Sequence, residues 1–230
     1  MPNHVTNELL APAEVIAALT GATAAVDFGV IVPMPEVLRH EPSMLANSWA
    51  EVVMGLAKWT PPAMSPSEAF KRGDYATAST TIQISHNVRM IQHGPFLKDR
   101  PDDFAAFVRC CKSIIETGFV SWCEWSVAKW GTKWNAYQVK PVSDTSVRFQ
   151  TAWSPPMRLI EALSNRFPEA EIRIRWADED RNSNCGDVTV KNGEIVGGDR
   201  AEDNSPEAIA LALDLLGPEP ENEENEEKKA

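Results

Sequence analysis

Apolar positions along this chain alternate between a period of two and a period near 3.6, and the switches between the two divide it into segments. Residues 4–10 (HVTNELL) read as a short strand. Pro12 suits the first turn of a helix whose apolar positions are Val15, Ile16 and Leu19, with Gly21 as its terminator. Val26 to Val32 (VDFGVIV) reads as a second strand, stopped by Pro33 and Pro35. The first 33 residues thus read β-α-β.

A long helical stretch follows. After Ser43, the positions Leu45, Trp49, Val52, Val53 and Leu56 fall on one helical face. Ser65-Pro66-Ser67-Glu68 has the form of a capping box, so a helix is expected to start there and to break near Gly73. Residues 76–92 lean to helix through Ile84, Val88 and Ile91. The clearest helix is 101–117, with Phe104, Phe107, Val108, Cys111, Ile114 and Ile115 as its apolar stripe. Pro101, Asp102 and Asp103 suit its start and Gly118 its end. Residues 119–130 fit neither period cleanly, and helix is preferred.

Strands then return. Tyr137 and Val139 alternate with polar neighbours, as do Val147, Phe149, Thr151 and Trp153 against Arg148, Gln150 and Ala152. Ser154 is placed to cap a helix with Pro155 at its first position and Leu159, Ile160, Leu163 and Phe167 on its buried face. Ile172, Ile174 and Trp176 alternate with Arg173 and Arg175, a strand with one wet face. Asn192-Gly193 between VTVK and EIV is the strongest hairpin signal, because both residues tolerate the left-handed backbone of a type I′ turn. A last helix is expected over 205–216.

The expected fold class is therefore α+β: a ferredoxin-like split β-α-β sheet with a large helical insertion and a C-terminal hairpin. In domain terms, residues 1–35 and 119–200 form the discontinuous ferredoxin-like domain, 36–118 the insertion, 201–217 a C-terminal helix and 218–230 a disordered acidic tail. The term names a fold only, since the cysteine spacing excludes an iron–sulfur site.

Composition refines this reading. Of the net charge of −11, residues 201–230 carry −8, from ten carboxylates and two lysines, so the body is close to neutral. Duplex nucleic acid calls for clustered Lys and Arg, which neither part has. The N-terminus lacks a basic segment followed by an apolar core, and no run is long enough to span a bilayer, so a cytoplasmic protein with no membrane contact is expected. The cysteines Cys110, Cys111, Cys123 and Cys185 show no C-x-x-C spacing and read as free thiols.

One family resemblance is carried by specific motifs. Met1-Pro2-Asn3 with Asn7, Ile31-Val32-Pro33-Met34-Pro35, Trp130-Gly131-Thr132-Lys133-Trp134-Asn135, Thr151-Ala152-Trp153-Ser154-Pro155-Pro156, Phe167-Pro168, Gly186 and Asn192-Gly193 resemble the YubB ferredoxin-like domain family. The resemblance covers roughly residues 1–35 and 120–197. It implies a ferredoxin-like fold and an origin on a bacteriophage or conjugative plasmid, in a bacterial host cell, and it implies no activity. The chain departs from the family at His4-Val5, where members commonly have Trp-Cys, and at the insertion, which matches nothing in it.

Candidate chemistry is sparse. His4, His40, His86 and His93 do not show the paired spacing of a zinc site, and His86 and His93 are two helical turns apart. There is no G-x-S-x-G motif and no phosphate-cradling glycine loop, because Gly197-Gly198 follows a hairpin and lacks the downstream lysine. Asp178, Glu179 and Asp180 read as solvated turn carboxylates. The sequence points to no catalytic residue, no metal and no cofactor. The candidate binding residues are Trp130, Lys133, Trp134, Asn135 and Trp153, with Arg173 and Arg175 as the remaining basic pair. The tryptophans read either as sheet-packing core or as anchors for a partner.

The leading expectation is a non-enzymatic accessory protein that binds a host macromolecule, above all a protein, with interference with host defence as one purpose. Its binding surface would be the insertion together with the WGTKW edge. The alternative is a module that binds single-stranded nucleic acid on the sheet face; an uncharacterised enzyme is the third reading.

Overall fold

A computed structural model describes residues 3–20, 25–41, 43–56 and 99–218. The chain divides into two units, Met1–Pro33 with Ser126–Ala230, and Met34–Trp125.

The first unit is built on strand β1 (His4–Leu10), followed by helix α1 (Ala13–Thr20), which buries Val15, Ile16 and Leu19. The stretch expected as a second strand is instead a short helix, α2 (Phe28–Ile31). The apolar run VDFGVIV carries a local helix signal that outweighs its strand character: Asp27 Oδ1 accepts from Gly29 N–H at 2.9 Å and caps the turn.

The second strand of the ferredoxin-like motif comes from beyond the insertion. Strands β2 (Tyr137–Ser143) and β3 (Ser146–Ala152) lead into a helix at Met157–Arg166, then β4 (Ile172–Asp178), the hairpin β5 (Gly186–Lys191) and β6 (Glu194–Arg200), and a last helix at Pro206–Leu216. The sheet order is β2-β3-β1-β4-β5-β6, and every neighbouring pair is antiparallel. β3 splits the pair β1 and β2, and β1 splits β3 and β4, which is the doubled split β-α-β of a ferredoxin-like sheet. The insertion therefore lies between α2 and β2, inside the first crossover. Among the described residues there is one strand fewer than the sequence pattern suggests.

Alternation assigns the two faces of the sheet. Val5, Leu9, Val147, Phe149, Ile172, Ile174, Val188 and Val190 are buried on the face that carries α1 and α2, where Phe28 meets Phe149 edge-on at 6.0 Å. On the opposite face, Ala177 and Cys185 pack against Ala208, Ala212 and Leu215 of the last helix. Asn192 and Gly193 both have positive φ (49° and 78°), as a type I′ hairpin turn requires. Ser154 does not cap the helix that follows it: the N-cap is Pro156 and makes no side-chain cap bond.

In the second unit, helix α3 (Met44–Val53) begins at Ser43, whose Oγ accepts from Ala46 N–H. Helix α4 (Pro101–Thr117) ends at Gly118 in the left-handed conformation, and α5 (Trp122–Trp130) contains the boundary between the units. The start of α3 and both ends of α4 match the sequence pattern; α3 stops at Val53, before Leu56, and only part of each expected face (Trp49 on α3; Phe107, Cys111 and Ile114 on α4) packs inward. The core consists of Ala46, Ala50, Cys110, Ile114 and Val120, with Phe107 packed against it and meeting Trp49 edge-on. Val53, Leu56, Phe104, Val108 and Ile115 are exposed. The expected terminator Gly21, the Ser65 capping box, the 76–92 helix, His86, His93 and the tail from 219 onward lie outside the described residues. No helix among the described residues is long and apolar enough to cross a membrane.

In chain order the remaining helices are α6 (Met157–Arg166) and α7 (Pro206–Leu216).

Candidate functional site

The first unit gathers its polar and aromatic side chains at one end of the sheet, where β1 and β2 begin and β3 and β4 end. The segment Gly131–Asn135 folds there as a tight turn against the start of α6. Gly131 has φ 88°, and a Cβ at this position would lie 3.0 Å from Met157 N and 3.1 Å from Arg158 N. Only glycine meets both demands. Thr132, fully buried, donates its hydroxyl to Ala152 O at 2.8 Å, and Ser154 Oγ donates to Gly131 O at 2.6 Å. Ser126 Oγ donates to Lys133 O at 2.8 Å. The first two of these bonds lock the turn to the end of β3, and the third ties it to α5.

The same bonds sort the sequence candidates. Trp130 is core: its indole is buried, donates Nε1–H to Val32 O at 2.9 Å and meets Phe28 edge-on at 5.7 Å. Asn135 is a staple, with Oδ1 accepting from Phe28 N–H (2.9 Å) and Ala136 N–H (2.9 Å) and Nδ2 donating to Asp27 Oδ1 (2.8 Å). Lys133, Trp134 and Trp153 are brought together. The Lys133 ammonium lies 4.5 Å from the ring centroid of Trp153 and 5.1 Å from that of Trp134, inside cation–π range of both.

Strand alternation along 147–151 predicts that Trp153 points into the core, and the structure corrects this. β3 ends at Ala152, and Trp153 adopts φ 71°, which turns its indole outward and leaves the residue 47% exposed. A left-handed backbone at a bulky residue costs of order 1–3 kcal/mol and persists only where its surroundings impose it. Here Trp153 N–H donates to Asn3 O (3.0 Å), and Asn184 Nδ2 donates to Trp153 O (3.0 Å). Asn184 is itself held by Asp178, a buried carboxylate that accepts from Asn184 Nδ2 (3.0 Å), Asn3 Nδ2 (3.1 Å) and Asp180 N–H (3.2 Å).

On the other side of Trp134 stands Tyr137, edge-on at 6.4 Å. Tyr137 Oη donates to Thr151 O (3.1 Å), which leaves His4 Nδ1–H as donor in the 2.6 Å contact between His4 and Tyr137. Burial, reinforced by the negative charge of Glu179, holds the Tyr137 phenol above its ordinary pKa, so it stays protonated as a donor. Asn3, His4, Tyr137, Asp178 and Asn184 carried no functional signal in the sequence; only the strand order brings them together.

Arg173 and Arg175 lie elsewhere, on the sheet face that carries α7, and both are paired. Arg173 donates to both carboxylate oxygens of Asp187 (2.7 and 2.5 Å), and this pairing raises its pKa further. Arg175 donates to Glu8 (2.9 Å) and to Asp214, and Arg148 donates to Glu8 at 2.8 Å. That face is close to electrically neutral and is crossed by α7. In the second unit His40 contacts Ser113 Oγ at 3.2 Å. Among the described residues no three His, Cys, Asp or Glu side chains converge to hold a metal ion.

Residues 129–228 match the family model described as a ferredoxin-like domain in Api92-like protein. The matched stretch runs from the end of α5 through α7. A solved structure of protein api92 from Yersinia pseudotuberculosis is similar over 88% of this chain and 99% of its own length, at 12% identity and a TM-score of 0.35. No curated protein matches the chain.

Proposed function

We propose that the protein is a non-enzymatic binding module that takes a protein partner on the surface formed by Trp134, Lys133 and Trp153. The observation that carries this reading is the outward turn of Trp153. A half-exposed tryptophan, held in an unfavourable backbone by Asn3 and Asn184, offers a large rigid contact at little entropic cost, as interface anchors do. The carboxylates at this end (Asp27, Asp178, Glu179 and Asp180) outnumber the cations Lys133 and Arg181, which disfavours a polyanionic ligand and suits a protein. Single-stranded nucleic acid on the sheet face has less support, since Arg173 and Arg175 are held by carboxylates.

The mobile-element side of the proposal rests on the WGTKW and TAWSPP motifs. On that basis the chain is a YubB-like accessory protein of a phage or plasmid, its partner a host protein in the bacterial cytoplasm, and interference with host defence its purpose. The insertion is proposed as a separate contributor to partner binding.

The test is a partner captured from bacterial cells, purified and titrated against wild type and Trp153→Ala. Weakening of Kd by about tenfold or more, with little change between about 50 and 200 mM salt, is expected. Equal binding by Trp153→Ala, or a dominant affinity for single-stranded DNA or RNA that falls steeply with salt, would overturn the reading.

A further inference from the structure

We propose that Trp134 and Trp153 form a cage for a basic side chain of the partner, an arginine or a lysine, and that Lys133 occupies this cage as an internal stand-in until the partner arrives. The inference rests on the partner-binding reading of the same surface.

The geometry is that of a cation between two π faces, with one ammonium at 4.5 and 5.1 Å from the two indole centroids. Neither wall depends on the lysine for its position. The backbone of Trp153 is fixed by Asn3 and Asn184, Trp134 packs on Tyr137, and the turn that carries both Lys133 and Trp134 is tied to the end of β3 by Thr132 and Ser154. Removing the lysine side chain therefore leaves the walls standing. Among the described residues Lys133 makes no ion pair, so the indoles are the groups that hold its charge.

Such an occupant is easily displaced. The lysine reaches the cage on a four-carbon stem and keeps a strongly hydrated ammonium, whereas a guanidinium is weakly hydrated and lies flat on an aromatic face. The surrounding field favours an incoming cation as well. Asp27 is attached to the turn through Asn135, and Glu179 is close enough to Tyr137, the neighbour of Trp134, for its charge to be felt there. In the free protein Lys133 covers two indole faces that would otherwise form an exposed apolar patch, and partner binding exchanges one cation for another.

The test uses the full chain with 15N-labelled tryptophan and N-acetyl-arginine amide as probe. The neutral isostere N-acetyl-citrulline amide serves as control, and resonances are assigned with Trp134→Phe and Trp153→Phe. The expected result is a saturable shift of the Trp134 and Trp153 indole signals with the arginine probe alone. The probe should bind Lys133→Ala about fivefold or more tighter than wild type, because the competing internal cation is gone. The Trp130 indole, bonded to Val32 O, reports that the variant is folded. Shifts that do not saturate in Lys133→Ala, equal affinity in wild type and variant, or equal response to citrulline would each overturn the cage. If the cage fails while Trp153→Ala still weakens the partner, the surface reading stands on apolar contact alone. If Trp153→Ala leaves the partner's affinity unchanged, the partner's role in the cage falls with the surface reading.

Discussion

Asn135 and Phe28, 107 positions apart in sequence, are joined by a 2.9 Å hydrogen bond in which the asparagine side chain accepts from the first backbone N–H of α2. This N–H is one of the unpaired donors at any helix start, and the acceptor comes from the turn that carries Lys133 and Trp134. Asn135→Ala removes it, along with the bonds to Asp27 and Ala136. The expected cost is about 1–2 kcal/mol in urea unfolding, because a part-buried donor is left without a partner.

Glu8 is a buried carboxylate (side chain 7% exposed) clamped between Arg148 and Arg175 across three strands. Glu8→Gln removes the carboxylate that Arg148 and Arg175 share, and among the described residues only Arg175 of the two keeps another carboxylate partner, Asp214. A loss of roughly 3 kcal/mol is expected, at the low end for a broken buried pair because Arg148 keeps 35% of its side chain exposed. Calorimetric melting of Glu8→Gln beside Arg148→Met checks this, and the arginine variant should be the milder of the two.

Gly186 begins β5 directly opposite Trp176 of β4. A Cβ at this position would overlap the six-membered ring of the Trp176 indole, which is buried and has no room to retreat. Gly186→Ala should cost about 1–3 kcal/mol by overpacking. The double variant Gly186→Ala with Trp176→Phe should recover part of that loss.

The pattern of the chain shows where such contacts could be foreseen. The alternation over 147–151 and 172–176 was legible because each strand buries one face only, so sequence period and burial coincide. The helix ends at Ser43, Pro101 and Gly118 were legible because caps are local chemistry. The stretch 26–32 was not, since its apolar, β-branched run is a strand by composition and becomes a helix through Asp27 and a side chain contributed from residue 135. On α3 and α4 only part of each expected stripe is buried: Trp49, Phe107 and Ile114 face the core, whereas Val53, Phe104, Val108 and Ile115 stay exposed, and periodicity alone does not show how wide a face a neighbour will cover. At the site, the WGTKW and TAWSPP motifs located three of the residues that meet. The outward turn of Trp153 depends on Asn3 and Asn184, which only the strand order delivers.

Glu51 in the second unit gives a pH-dependent prediction. Burial first, and then the nearby Glu124 carboxylate, hold its pKa above the ordinary value of 4.5. The folded chain therefore binds this proton more tightly than the unfolded chain. The resulting stabilisation is complete below pH 4.5 and is lost as pH rises through the raised folded value. Glu51→Gln removes the dependence. It should unfold at higher urea than wild type at neutral pH, and the difference should vanish below pH 4.5.

The conformation of Trp153 itself can be measured. At φ 71° an alanine keeps the left-handed strain and loses the indole's contacts, whereas a glycine loses the contacts and relieves the strain. At an ordinary extended position glycine is the less stable of the two. Here the order should reverse, with Trp153→Gly about 1 kcal/mol more stable than Trp153→Ala in urea unfolding. Both variants should bind the partner equally poorly, because both lack the indole. A stability order of alanine above glycine would show that the backbone at 153 relaxes to an extended form, with the indole no longer fixed outward beside Lys133.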